Sequence, residues 1–103
     1  MKVSSLVHVI QTLVEDSGQT SERHLAHAAE ELGEVAKAAR EARDAQRGQA
    51  HLKLEEAQVE AVDLAICAFA LYASFGGSAE EFEHVFARKC SKWKLALENR
   101  SKS

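Results

Sequence analysis

Residues 50–75 read AHLKLEEAQVEAVDLAICAFALYASF and run straight into Gly76-Gly77. Val59, Val62, Ile66, Phe69 and Ala73 recur at the spacing of one helical face, and the paired glycines supply a stop. From Leu64 onward a second stripe, Leu64, Ala68, Leu71 and Phe75, fills much of the remaining circumference. A helix apolar nearly all round is one that is buried on all sides. In a chain of 103 residues few arrangements can surround one helix completely. Part of this helix is therefore expected to be covered by a partner subunit.

Reading outward from this segment gives three more helices. The first is expected from about Ser4 to Ser17, with Leu6, Val9, Ile10, Leu13 and Val14 at helical spacing and Gly18 as its stop. Thr20 or Ser21 then caps a second, whose apolar stripe is Leu25, Ala28, Leu32, Val35 and Ala39. Polar residues 44–49, with Gly48 among them, form the connection to the quoted helix. Beyond the glycines, Ser78 with Glu81 three residues on makes a capping box. The helix it opens carries Phe82, Val85, Phe86, Lys89, Trp93 and Leu97 and is expected to fray into the polar tail 99–103. There is no proline, and Ala, Glu, Leu, Lys and Arg, all helix formers, are abundant. The expectation is one all-α domain over residues 1–103, a four-helix bundle-like fold completed by a partner subunit.

Composition narrows the function classes. Apolar residues make up 46% and charged residues 28%, as in a soluble globular protein. A net charge of −3 and a pI near 5.9 argue against a nucleic-acid partner, which calls for a basic face. The longest apolar run, Leu64 to Phe75, falls short of the ~20 residues of a membrane span. Lys2 leads into an amphipathic pattern rather than a signal peptide. A cytoplasmic location with no membrane partner is expected. Cys67 and Cys90 lack metal-ligand spacing and read as reduced, buried thiols.

The chemistry sits in the acids. The second helix contains Glu30-Glu31-Leu32-Gly33-Glu34 and the third Glu60-Ala61-Val62-Asp63. Glu31 and Glu34 share one face of their helix, with Glu30 at its edge, and Glu60 and Asp63 share one face of theirs. A short connection makes the two helices antiparallel neighbours, so the faces can converge. Such a cluster is unfavourable unless protons or a cation compensate. No Lys or Arg stands four residues after Glu30, Glu31, Glu60 or Asp63. Mg²⁺, with Mn²⁺ as a substitute, suits a carboxylate cage open to water and phosphate oxygens. Gly33 costs about 1 kcal/mol relative to Ala inside a helix, which suggests that the third helix or a ligand approaches the backbone there.

This order, Glu30-Glu31-x-x-Glu34 followed by Glu60-x-x-Asp63, resembles the EExxE…ExxD signature of the MazG-like all-α nucleoside triphosphate pyrophosphohydrolases, over roughly residues 25–92. The resemblance implies Glu31, Glu34, Glu60 and Asp63 as Mg²⁺ ligands and Glu30 as the residue that orients or deprotonates the attacking water. It implies a nucleoside triphosphate substrate cleaved to monophosphate and pyrophosphate, and a homodimer or homotetramer with sites near subunit interfaces. A role in nucleotide-pool house-cleaning would follow. On the fourth helix the chain departs from the family pattern, with lysine where asparagine is usual. Lys89 and Lys92 remain the candidates for phosphate contact.

Two other assignments fit parts of the sequence. A di-iron carboxylate bundle needs two ExxH motifs, and only Glu81-x-x-His84 fits. His84, His24 and His27 read instead as exposed or half-exposed helix residues. The second rival is a non-catalytic helical interaction module with an acidic binding face. It accounts for the broad apolar helix but not for two acidic pairs at matched spacing.

Overall fold

Each helix of the computed structural model, which describes residues 2–101, begins and ends where local chemistry allows. Helix α1 spans Val3–Ser17 and stops at Gly18, whose φ of 65° is left-handed and whose N–H reaches the Val14 carbonyl. Helix α2 spans Ser21–Asp44, capped by the Thr20 hydroxyl, which accepts the Arg23 N–H at 3.2 Å. Helix α3 spans Ala50–Ser74 and α4 spans Ala79–Ser101. The Ser78 hydroxyl accepts the Glu81 N–H at 3.1 Å, satisfying one of the otherwise unpaired first-turn donors. The described residues are all-α, with no strand among them.

Helices α2 and α3 pack against each other as an antiparallel pair. At one end the Ser21 hydroxyl donates to the Ser74 carbonyl at 3.3 Å and lies 2.9 Å from the Ser74 hydroxyl. At the other, Lys53 Nζ is 3.9 Å from Glu41. Helix α1 packs on α3 and on the start of α4. There Val7 is wholly buried, as is Ala79, and Gln11 donates to the Gly77 carbonyl at 2.7 Å. Phe82 meets Phe69 and Tyr72 edge-on at centroid distances of 4.8 and 5.0 Å. These contacts form one small core at the C-terminal end of α3.

Several expectations need correction. The face that α2 turns inward is His24, Ala28, Glu31, Val35, Ala38 and Ala42, whereas Leu25 and Leu32 lie outside. His24, expected to be exposed or half-exposed, is buried, with only 7% exposed. On α3, Val59, Val62 and Ile66 are not core residues of the single chain, being 60%, 58% and 48% exposed. Cys90 is exposed rather than buried, and Cys67 is half-buried. Helix α4 does not fray at Asn99 but continues to Ser101; the last two residues of the expected tail lie outside the described residues. Val59, Val62, Ile66 and Cys90 are open because the described residues supply no second layer over them, whereas His24 is covered by the packing of α2 on α3.

Gly33 and Gly77 separate two uses of glycine. A Cβ on Gly33 would meet nothing within 4 Å, so α3 is not the reason for glycine there. A Cβ on Gly77 would run into the Tyr72 ring, which is held over the turn by donation of its hydroxyl to the Ser78 carbonyl at 2.9 Å. Gly33→Ala is therefore expected to stabilise the fold by up to about 1 kcal/mol, raising Tm by several degrees. Gly77→Ala should cost about 1–3 kcal/mol, as overpacking does. Paired thermal melts read both, and a rise in both would refute the ring contact.

Candidate metal centre

The α2–α3 pairing brings the two acidic motifs together. Carboxylate oxygens of Glu31, Glu60 and Asp63 all lie within 4.8 Å of one another. One oxygen of Glu31, Oε2, is shielded from solvent and has no hydrogen-bond partner. An unpaired, desolvated oxygen on a carboxylate that neighbours other carboxylates is unfavourable without a cation. Opposite ligand oxygens of an octahedral Mg²⁺ stand about 4.2 Å apart, twice the usual Mg–O distance. Neighbouring ones stand about 3 Å apart, so the three carboxylates would draw in around a hard divalent cation, for which three hard oxygen donors are suited.

Glu34 stands one turn along α2, outside this tightest group. It lines a groove of about 160 Å³ between the helices with Lys37, Glu41, Glu56 and Glu60. Glu30 lies exposed on α2, beside Glu31 in sequence. Glu56 and Lys37 were not singled out from the sequence. The signal for Glu56 is its position one turn before Glu60, on the same side of α3.

The electrostatics follow from the crowding. Desolvation holds the Glu60 carboxyl above its ordinary value, reinforced in order by Asp63, Glu31, Glu34 and Glu56. The Cys67 thiol is pushed up as well, first by desolvation and then by Glu31 and Asp63. At the other end of the molecule Glu80 is held below the usual carboxylate value by a backbone hydrogen bond and by His8, 3.2 Å away.

Because Glu60 binds its proton more tightly folded than unfolded, protonation stabilises the metal-free fold. That stability is lost as pH rises from the ordinary value of 4.5 through the folded value. Glu80 acts in the opposite sense, its stabilisation being lost as pH falls below the carboxylate range. In EDTA, the wild-type Tm should drop across the upper window, and Glu60→Gln should flatten the drop. Identical slopes in the two proteins would exclude Glu60 as its source.

The fourth helix does not bring its lysines to this centre within one chain. Lys89 borders an apolar hollow with Tyr72, Phe82, Val85 and Phe86. Tyr72 lies nine residues along α3 from Asp63, about 14 Å at helical rise. Lys92, a turn further along α4, is exposed.

Neither a family model nor a curated protein nor a solved structure matches this chain. The resemblance to the MazG-like enzymes therefore rests on the motif residues alone.

Proposed function

We propose that the chain is a metal-dependent nucleoside triphosphate pyrophosphohydrolase of the MazG-like kind, with Glu31, Glu34, Glu60 and Asp63 as the ligands of Mg²⁺ or Mn²⁺. The observation that carries this reading is the meeting of Glu31, Glu60 and Asp63 across two helices, with one buried Glu31 oxygen left unpaired. Glu34, one turn away on the open groove, completes the set at the side where substrate enters.

The chemistry divides among these groups. The bound cation would polarise a phosphoryl oxygen and neutralise charge on the triphosphate. Glu30, at the edge of the same face, accepts a proton from the attacking water. The water oxygen forms a new bond to phosphorus as the bond across the α–β anhydride breaks, releasing monophosphate and pyrophosphate. The remaining acids keep the site anionic, so that a triphosphate binds only together with its cation. Cytoplasmic nucleotide-pool house-cleaning is the role this activity would serve.

The test is a panel of nucleoside triphosphates with Mg²⁺, read for pyrophosphate against orthophosphate. Pyrophosphate as the inorganic product is expected from at least one substrate, and orthophosphate from all of them would overturn the assignment. The exposed apolar residues of α3 and α4 favour a second reading, a non-catalytic interaction module. Melting with Mg²⁺ or Mn²⁺ separates the two. A metal-bound native state gains about 2.7 kcal/mol at a hundredfold excess over Kd, whereas a protein-binding face is indifferent.

A further inference from the structure

The register of the α2–α3 pair sets two further donors beside the acidic trio. Ser21 meets Ser74 at one end of the pair, and Glu41 meets Lys53 at the other. Counting inward from either contact, up one helix and down the other, gives the same levels to within one residue. Glu34 stands level with Glu60, Glu31 with Asp63, and His27 with Cys67. The structure shows the first two pairings directly: Glu34 and Glu60 line one groove, and Glu31 and Asp63 converge. The third lies one turn further on. Two turns separate His27 from Glu34 and Cys67 from Glu60, so each stands on the edge of its helix that borders the acids.

Each helix thus contributes an i,i+4 pair, His27 with Glu31 and Asp63 with Cys67. Two such pairs on antiparallel neighbours, with axes about 8–10 Å apart, can surround one point with an imidazole, a thiol and two carboxylates. This donor set differs in kind from the trio. Mg²⁺ prefers oxygen to sulfur or imidazole nitrogen. Zn²⁺ takes thiolate, imidazole and carboxylate together, tetrahedrally, at about 2.0–2.3 Å. The groups are available for it. The Cys67 thiol is pushed up by desolvation and then by the charges of Glu31 and Asp63, so it shares their surroundings. Glu31 Oε2 is shielded and unpartnered. His27 is exposed and makes no hydrogen bond or ion pair among the described residues, so its ring is free to turn toward the thiol. Spacing along the chain hides the set, because its halves lie on different helices.

We propose that His27, Glu31, Asp63 and Cys67 form a site for a thiophilic divalent cation, Zn²⁺ foremost, which shares Glu31 and Asp63 with the Mg²⁺ centre. As the cation binds, a metal–sulfur bond replaces the S–H bond of Cys67 and the proton leaves to water. Glu31 and Asp63 cannot serve both cations at once, so Zn²⁺ and Mg²⁺ exclude each other. Zn²⁺ is then an inhibitor of turnover. The binding stands on helix register and donor chemistry; only the inhibition rests on the pyrophosphohydrolase reading.

The thiol supplies a readout apart from activity. The probe is CdCl₂, titrated into metal-free Cys90→Ser protein, in which Cys67 is the remaining one of two cysteines. The ultraviolet sulfur-to-cadmium charge-transfer band should rise and saturate at one cation per chain, and ZnCl₂ should erase it. Cys67→Ser should abolish the band. His27→Ala should weaken Cd²⁺ and Zn²⁺ binding by about tenfold or more, since even an outer-shell partner of a ligand is worth about 10–100-fold. Both variants should keep the circular dichroism of the parent and its Mn²⁺ affinity, because neither residue serves the oxygen-only centre. One equivalent of Zn²⁺ should release bound Mn²⁺, read by the electron paramagnetic resonance of the free ion. A missing band, a band that survives Cys67→Ser, or equal affinity in His27→Ala would overturn the proposal. Mn²⁺ retained beside Zn²⁺ would overturn the sharing of ligands. Pyrophosphate release is scored on the same samples. A saturating band in a protein that binds no Mn²⁺ and releases no pyrophosphate keeps this site and removes the catalytic reading. Pyrophosphate release from a protein without the band does the reverse.

Discussion

The Asp63→Asn protein is expected to lose Mn²⁺ or Mg²⁺ binding and pyrophosphate release together. Asp63 is one of three residues whose carboxylate oxygens lie within 4.8 Å of one another. The amide keeps its size and removes its charge, so a hard cation loses an anionic ligand while the helix pair is undisturbed. Turnover should fall to background, and calorimetric titration should show no saturable metal binding where the wild type saturates. The metal-free protein should change in the other direction. Removing one like-charge repulsion is worth a few tenths of a kcal/mol, so Tm in EDTA should rise slightly. Full turnover in Asp63→Asn would remove the metal mechanism itself.

Glu30→Gln is expected to behave differently, and the contrast tests the division of roles. Glu30 is exposed on α2 and is not among the oxygens that converge. Its substitution should leave most of the metal affinity in place. Turnover should drop by about 10²–10⁴-fold, the range for loss of a general base. The measurement is kcat alongside the same calorimetric titration. Equal loss of metal binding in Glu30→Gln and Asp63→Asn would make Glu30 another ligand. Unchanged kcat would return it to the solvated face.

Much of the site was legible because it depends on short-range geometry. Glu60 and Asp63 share a face through helical spacing alone, and a six-residue polar connection forces α3 back alongside α2. Glu31 could be aimed at Glu60 on that basis. Glu34 could not be placed as finely. Whether it joins the trio or lines the adjoining groove depends on the axial register of the helices. That register is set by contacts such as Ser21 with Ser74 at the C-terminal end of α3. His24 was misread for a related reason. A lone histidine on a polar-looking turn carries no sign of burial, and it is the packing of α2 on α3 that covers it.

The apolar stripes mark the limit more sharply. Periodicity identifies Val59, Val62, Ile66 and Trp93 as residues that need cover, but it does not say whose atoms provide it. By itself the sequence determined four helices, their stops at Gly18 and Gly76-Gly77, a cap at Thr20 or Ser21 and another at Ser78, and the two acidic pairs. All of these are local, decided by residues within a turn or two of one another. Only the tertiary structure decided that Glu31, Glu60 and Asp63 meet, that Lys89 lies far along α3 from them, and that α3 and α4 keep their stripes open. Those outcomes follow from how rigid helices are angled and slid past one another. A small core around Val7, Ala79 and Phe82 fixes that arrangement, and no single helix encodes it.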